Sequence, residues 1–307
     1  MKLRLGINTC FAVKRWPRPA DWAPLVADRL ELSLVQHSLD LVDLTVGAAE
    51  IERQASALDE ASAAHGLNVT STFTGLAAYS SNLLLGPDPM AREAAMTWYA
   101  SAIGFSGRVH ASATGGHVGS LSVADAADPV RRAERWRNLI RALEVLARQA
   151  SAAGLGAIVV ENLASAREPS TIAQVEGLLR PTVAGRAAIG LCLDVGHMCV
   201  PGTTGDDRDP YAWLRRLGTR APMIQLQQSD TEGDHHWPFT PKRNRVGRIE
   251  ADRVIDALEQ GDVEETELLL EVIPPFEQAD DDVMDDLKAS VDYWREALLR
   301  RGVLASP

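Results

Sequence analysis

Eight short apolar runs alternate with longer segments of helical spacing, and this alternation restricts the fold more than any other feature of the chain. The runs are Leu3–Thr9, Leu34–His37, Asn68–Phe73, Gly107–Ala111, Gly156–Glu161, Ala188–Asp194, Met223–Gln227 and Glu267–Val272. Segments such as AIVVE and LLLEV are apolar at nearly every position, as expected of parallel strands covered on both faces. Eight such βα units predict an α/β fold, a single (β/α)8 TIM barrel formed by residues 1–307 as one domain.

The intervening segments carry the matching helical pattern. In VRRAERWRNLIRALEVLARQASAAG, Trp136, Ile140, Leu143 and Leu146 or Ala147 share one face, which predicts a helix coating the barrel and capped at Gly154. The run Asp280–Asp282 reads as the solvated start of the last helix, where carboxylates favour the helix dipole. No linker or low-complexity stretch divides the chain.

Composition narrows the function. With 31 Lys and Arg against 42 Asp and Glu, the net charge of −11 repels phosphate backbones, so a nucleic-acid partner is not expected. No stretch approaches the roughly 18 uninterrupted apolar residues of a membrane span, and the opening MKLRLGINTCF lacks a signal-peptide pattern. The expectation is a cytoplasmic protein without a membrane partner. Cys10, Cys192 and Cys199 have no paired spacing and are expected as reduced core residues.

In a barrel of this kind the chemistry sits at the C-terminal ends of the strands. Four runs end in polar groups, at Glu161, Asp194, Gln227 and Glu271, spaced 33, 33 and 44 residues apart, or about one βα unit each. Three carboxylates and an amide at one rim suit a hard or borderline divalent cation. Mn2+ or Mg2+ is favoured, and Zn2+ is the lesser candidate because it prefers more nitrogen or sulfur. A single acidic strand end often does no more than open a solvated loop, but four in register point to a ligand set.

The segments VVENLAS, LCLDVGH and LLLEV, in that order, resemble the metal-binding strand ends of the xylose isomerase-like barrel family, which includes ketose 3-epimerases, hydroxypyruvate isomerases, inosose dehydratases and apurinic endonucleases. The resemblance covers essentially the whole chain. It implies a Glu, Asp, His, Glu metal set, carried here by Glu161, Asp194, the position of Gln227, and Glu271, with the two glutamates also serving as acid and base. Gln227 departs from the family pattern, and His235 or His236 offers a substitute imidazole. The resemblance further implies that His197, in DVGH, contacts a substrate hydroxyl. His117, in the glycine-rich ATGGHVG, and His37, at the end of the second run, are the next candidates for substrate binding.

The texture of INTCFAVKRW, VQHSLDLVD, STFTGLAAYSSNLLLGPDP and DHHWPFT is similar to tetrulose-phosphate epimerases of erythritol-type breakdown. The long loop after the seventh run carries Lys242, Arg243 and Arg245, the densest cations near the expected rim, which suit a substrate phosphate. The expected function is therefore metal-dependent epimerisation or isomerisation of a small sugar or sugar phosphate, with homo-oligomerisation left open. The competing expectations are an apurinic endonuclease-like phosphodiesterase, against which the net charge argues, and a non-catalytic sugar-binding barrel, favoured only by Gln227.

Overall fold

The computed structural model describes residues 1–305. The strands are β1 (Lys2–Asn8), β2 (Leu34–Ser38), β3 (Asn68–Phe73), β4 (Ala113–Gly116), β5 (Ala157–Glu161), β6 (Ala188–Asp194), β7 (Met223–Leu226) and β8 (Glu265–Leu270). They pair in sequence order, all parallel, and β8 closes on β1. The expected eight-stranded TIM barrel is the observed fold.

Side chains along each strand alternate between two cores, because successive residues point to opposite faces. Leu34, Phe73, Val159, Cys192, Met223 and Leu269 fill the barrel interior. Their neighbours Val35, Ile158, Val160, Leu191, Leu193 and Leu270 face outward and pack in the shell beneath the helices. Two residues beyond each inward Val159, Cys192 and Leu269 stand Glu161, Asp194 and Glu271, so strand parity alone turns all three carboxylates inward at the rim.

The helical layer includes the strongly apolar-faced helix Pro129–Ala152, which buries Leu139, Leu143, Leu146 and Ala147. Trp136 and Ile140 pack on the edge of that core, and Gly154 follows with φ +86°. The last helix, Asp280–Arg301, opens on its three aspartates as expected. All three cysteines are free and buried. No described helix is long and apolar enough to cross a membrane.

The fourth run is a correction. Gly107–Ala111 is not a strand: Gly107 and Arg108 finish the helix Pro89–Arg108, and the chain turns at His110 with φ +56°. The true β4, ATGG, has almost no apolar content to signal it. Its glycines are required by space, since a Cβ on Gly115 would lie 2.0 Å from the Val159 carbonyl oxygen.

Candidate active site

Glu161, Asp194 and Glu271 converge at the C-terminal mouth of the barrel, each offering an oxygen within 4.8 Å of the others. All three are buried. Burial pushes the Glu161 carboxyl well above its ordinary value, His197 draws it back, and Asp194 and Asp234 add repulsion. Glu271 is raised in the same way, by burial and then by Asp194 and Glu161. A site that crowds carboxylates against their own repulsion is poised for a cation.

Local hydrogen bonds hold each group. Asn162, next to Glu161, pairs with the backbone of Asp194: its Oδ1 accepts the Asp194 N–H at 2.9 Å and its Nδ2 donates to the Asp194 carbonyl at 2.9 Å. The Asp194 carboxylate accepts the Gly196 N–H at 2.6 Å, a turn that sets the DVGH loop. Nδ1 of His197 donates to the Asn162 carbonyl at 2.7 Å, which leaves Nε2 facing the acidic centre. That Nε2 is fully buried, 3.3 Å from Asp234 Oδ2 and 3.9 Å from Asp194 Oδ2, within ion-pair range of both.

The loop after β7 folds back over the mouth because Gln228 and Trp237 pair through both of their backbone groups, at 2.9 and 3.1 Å. This return brings in Asp234 and His236. Asp194, His197 and His236 form a second cluster whose ligand atoms lie within 4.8 Å, and it shares Asp194 with the first. Burial opposes charge on His197 and His236, but Asp194 and Asp234 reverse the balance and raise both. Asp234 is correspondingly held far below the usual carboxylate range: its burial opposes ionisation, and His197 and His236 outweigh it.

Gln227 is turned away from the expected ligand role. Its Oε1 accepts the backbone N–H of His236 at 2.6 Å, which fixes the amide orientation because a backbone N–H can only donate. Its Nε2 therefore faces Asp194 at 3.1 Å and Asp234 at 2.8 Å. A donor NH2 is not a cation ligand. Gly196 makes room for this side chain, since a Cβ there would lie 2.3 Å from Gln227 Cδ.

The remaining expected residues separate. His37 is not at the mouth: strand parity turns it outward, between Trp22 and Phe105 at ring-centroid distances of 5.7 and 6.3 Å. Burial there lowers it to about 3. Its neighbour Gln36 faces the barrel interior instead. His117 is buried behind Tyr79, whose ring meets it edge-on at 4.4 Å. Nδ1 of His117 accepts the Gly119 N–H, so Nε2 carries the proton toward Glu168 at 3.2 Å. Arg245 is exposed and lines none of the cavities around the mouth.

A cavity of about 290 Å³ opens over the carboxylates, bordered by Tyr79, Glu161, Asp234, His236 and Glu271. A second, of about 320 Å³, adjoins it across His235, His236 and Ile273 and is lined by Lys242 and Arg243. Arg243 lies over the Trp237 ring at 4.2 Å. A larger cavity of about 990 Å³ over the loops after β1 to β3 holds none of the clustered carboxylates. The sequence reading missed Asp234 and Tyr79. The adjacent DHH triplet in a long rim loop was the available signal for the first, while a lone tyrosine in a polar loop gives none for the second.

The xylose isomerase-like TIM-barrel family model matches residues 32–296. The chain belongs to this family. It is 30% identical over 299 residues to a D-erythrulose 1-phosphate 3-epimerase of Brucella abortus, covering 96% of each chain. A solved structure from Rhodospirillum rubrum, described as a candidate xylose isomerase, superposes with a TM-score of 0.86 at 32% identity, covering 99% of this chain and 100% of that one. A D-psicose 3-epimerase of Clostridium cellulolyticum shares the fold, with a TM-score of 0.69 at 14% identity over 96% and 99% of the chains. The expected class, a sugar isomerase or epimerase, agrees with this membership, and either cluster at the mouth could hold a divalent ion.

Proposed function

We propose that this chain is a divalent-metal-dependent epimerase of a short ketose phosphate, with a four-carbon tetrulose phosphate favoured. The observation that carries the reading is the convergence of Glu161 and Glu271, from strands three apart around the rim, on one buried point beside Asp194. The relative's action on erythrulose 1-phosphate supports the substrate class.

The side chains fit a cation because three buried carboxylates share one point and, among the described residues, none of them pairs with a lysine or arginine. Glu161, Asp194 and Glu271 would hold it, and His236 would add the imidazole that Gln227 does not supply. A bound Mn2+ or Mg2+ would stabilise negative charge on the substrate's carbonyl and neighbouring hydroxyl oxygens. Glu161 and Glu271 form the acid–base pair: one takes the proton from the carbon next to the carbonyl, leaving the electron pair in an enediolate, and the other returns a proton from the opposite face. His197 fixes the substrate hydroxyls, and the roof of the loop after β7 excludes water from the enediolate.

Lys242 and Arg243 support a phosphate subsite, since their cavity adjoins the reaction cavity and the latter offers no cation of its own except histidine. Phosphate held there contributes binding energy that orients the reacting carbons. The test is kcat/KM with added Mn2+ for a series of three- to six-carbon ketoses, each free and phosphorylated. The reading predicts a strong preference for a phosphorylated tetrulose. Equal or better turnover of free ketoses would reject the phosphate subsite, and no turnover of any ketose would reject the epimerase.

A further inference from the structure

Below the mouth, three amide side chains point into the barrel and meet under Glu271: Asn8 at the end of β1, Gln36 on β2 and Gln225 on β7. Each is at most 1% exposed. The orientation of Asn8 is fixed, because its Oδ1 accepts the Cys10 N–H at 2.8 Å. Its Nδ2 consequently donates to Glu271 Oε1 at 2.9 Å and to Gln36 Oε1 at 2.8 Å. Nε2 of Gln225 donates to the same two oxygens, at 2.7 and 2.9 Å. The amide of Gln36 cannot be the other way round without setting donor against donor, and its own Nε2 reaches Ser71 Oγ at 3.3 Å.

The result is an asymmetry between the two glutamates. Glu271 Oε1 receives two N–H donors, whereas Oε2 receives none from the trio and lies 3.6 Å from His236 Nδ1. Glu161 has no comparable support: His197 Nδ1 is 3.5 Å from its Oε1, and the proton on that nitrogen is directed to the Asn162 carbonyl. The terminal torsion of a glutamate is broad and roughly two-fold, so an unsupported carboxylate samples many orientations.

We propose that Asn8, Gln36 and Gln225 are positioning residues that lock Glu271 by Oε1, so that Oε2 alone exchanges a proton with substrate, a clamp that Glu161 lacks. The inference rests on the epimerase reading above for its kinetic consequences. In one direction the substrate C–H gives its proton to Oε2 and leaves the bonding pair on carbon; in the other, Oε2 returns a proton to that carbon. A fixed oxygen saves the orientational cost of finding the reacting carbon, a cost that an error of about 1 Å can raise to the order of 100-fold.

The experiment compares wild type with Gln225→Met, which keeps the side-chain length and removes one donor from Glu271. In crystal structures of the Mn2+-loaded proteins, Gln225→Met is expected to show Glu271 rotated or in two orientations. Its kcat is expected to fall about 10- to 100-fold with KM changed less than about twofold. The primary deuterium isotope effect should rise when the reaction starts from the epimer whose C–H faces Glu271, and fall when it starts from the other. A general loosening of the fold would move both isotope effects together. An unchanged Glu271 orientation, or parallel changes in the two isotope effects, would overturn the proposal. Should Gln225→Met fail to fold, Asn8→Ser keeps an oxygen for the Cys10 N–H while withdrawing the other donor, and the same outcomes apply. If wild type turns over no ketose, the epimerase reading falls, and the orientation of Glu271 in the two crystal structures still decides the positioning role.

Discussion

The side-chain oxygen of Gln227 and the backbone N–H of His236 are joined by a 2.6 Å hydrogen bond. It turns a residue at a ligand position of the family into the clasp of a loop, and it delivers His236 to the carboxylates in exchange. The clasp predicts that Gln227→Ala weakens Mn2+ binding about 10- to 100-fold, as the loss of an outer partner of a metal ligand typically does. Gly196→Ala should act similarly, because its added Cβ would strike Gln227. Calorimetric titration of the metal-stripped protein measures both, and undiminished affinity in Gln227→Ala would remove the clasp from the account.

The acid–base pair predicts that Glu161→Gln and Glu271→Gln each lower turnover on the order of 10²- to 10⁴-fold while circular dichroism stays native. An amide keeps the shape of the carboxyl group but transfers no proton. Near-normal rates in either variant would show that its carboxylate is dispensable.

How much of this was legible in the sequence depended on periodicity. Runs such as AIVVE and LLLEV announced β5 and β8, and counting by two from Val159 and Leu269 reaches Glu161 and Glu271. The same parity, counted from the inward Leu34, puts Gln36 inside and His37 outside, which a closer count could have caught. β4 was hidden because its ATGG is small rather than apolar, and a helix end of moderate hydrophobicity took its place. The role of Gln227 was beyond any sequence count, since its amide orientation is set by an N–H nine residues away that only the folded loop brings near.

His37 carries a pH prediction. Burial lowers it to about 3, against about 6.5 in an unfolded chain. The unfolded state then binds one more proton between these values, so its contribution to stability is complete above about pH 6.5 and is lost as the pH falls toward 3. The slope approaches about 1.4 kcal/mol per pH unit. Urea unfolding at pH 7 and pH 5 should show a drop in wild type that is smaller by about 2 kcal/mol in His37→Phe. An equal drop in both proteins would mean that His37 is not the group responsible.

The phosphate subsite predicts that Lys242→Ala and Arg243→Ala each reduce kcat/KM for a phosphorylated tetrulose by about tenfold or more, the usual scale for a charged hydrogen bond, with little effect on the free sugar. Arg245→Ala, which alters an exposed side chain away from the cavities, serves as the control. Equal losses on both substrates would place the phosphate elsewhere.

The most direct test of the central claim is solvent deuterium exchange. Metal-stripped and Mn2+-loaded enzyme are incubated in D2O with a tetrulose phosphate of one hand, and the recovered sugar is read by proton NMR and optical rotation. The two-glutamate epimerase predicts deuterium at the one stereogenic carbon next to the carbonyl, loss of optical rotation as the inverted sugar accumulates, and both only in the loaded enzyme. Inverted product without exchange or metal dependence, or a bound sugar that neither exchanges nor inverts, would contradict it.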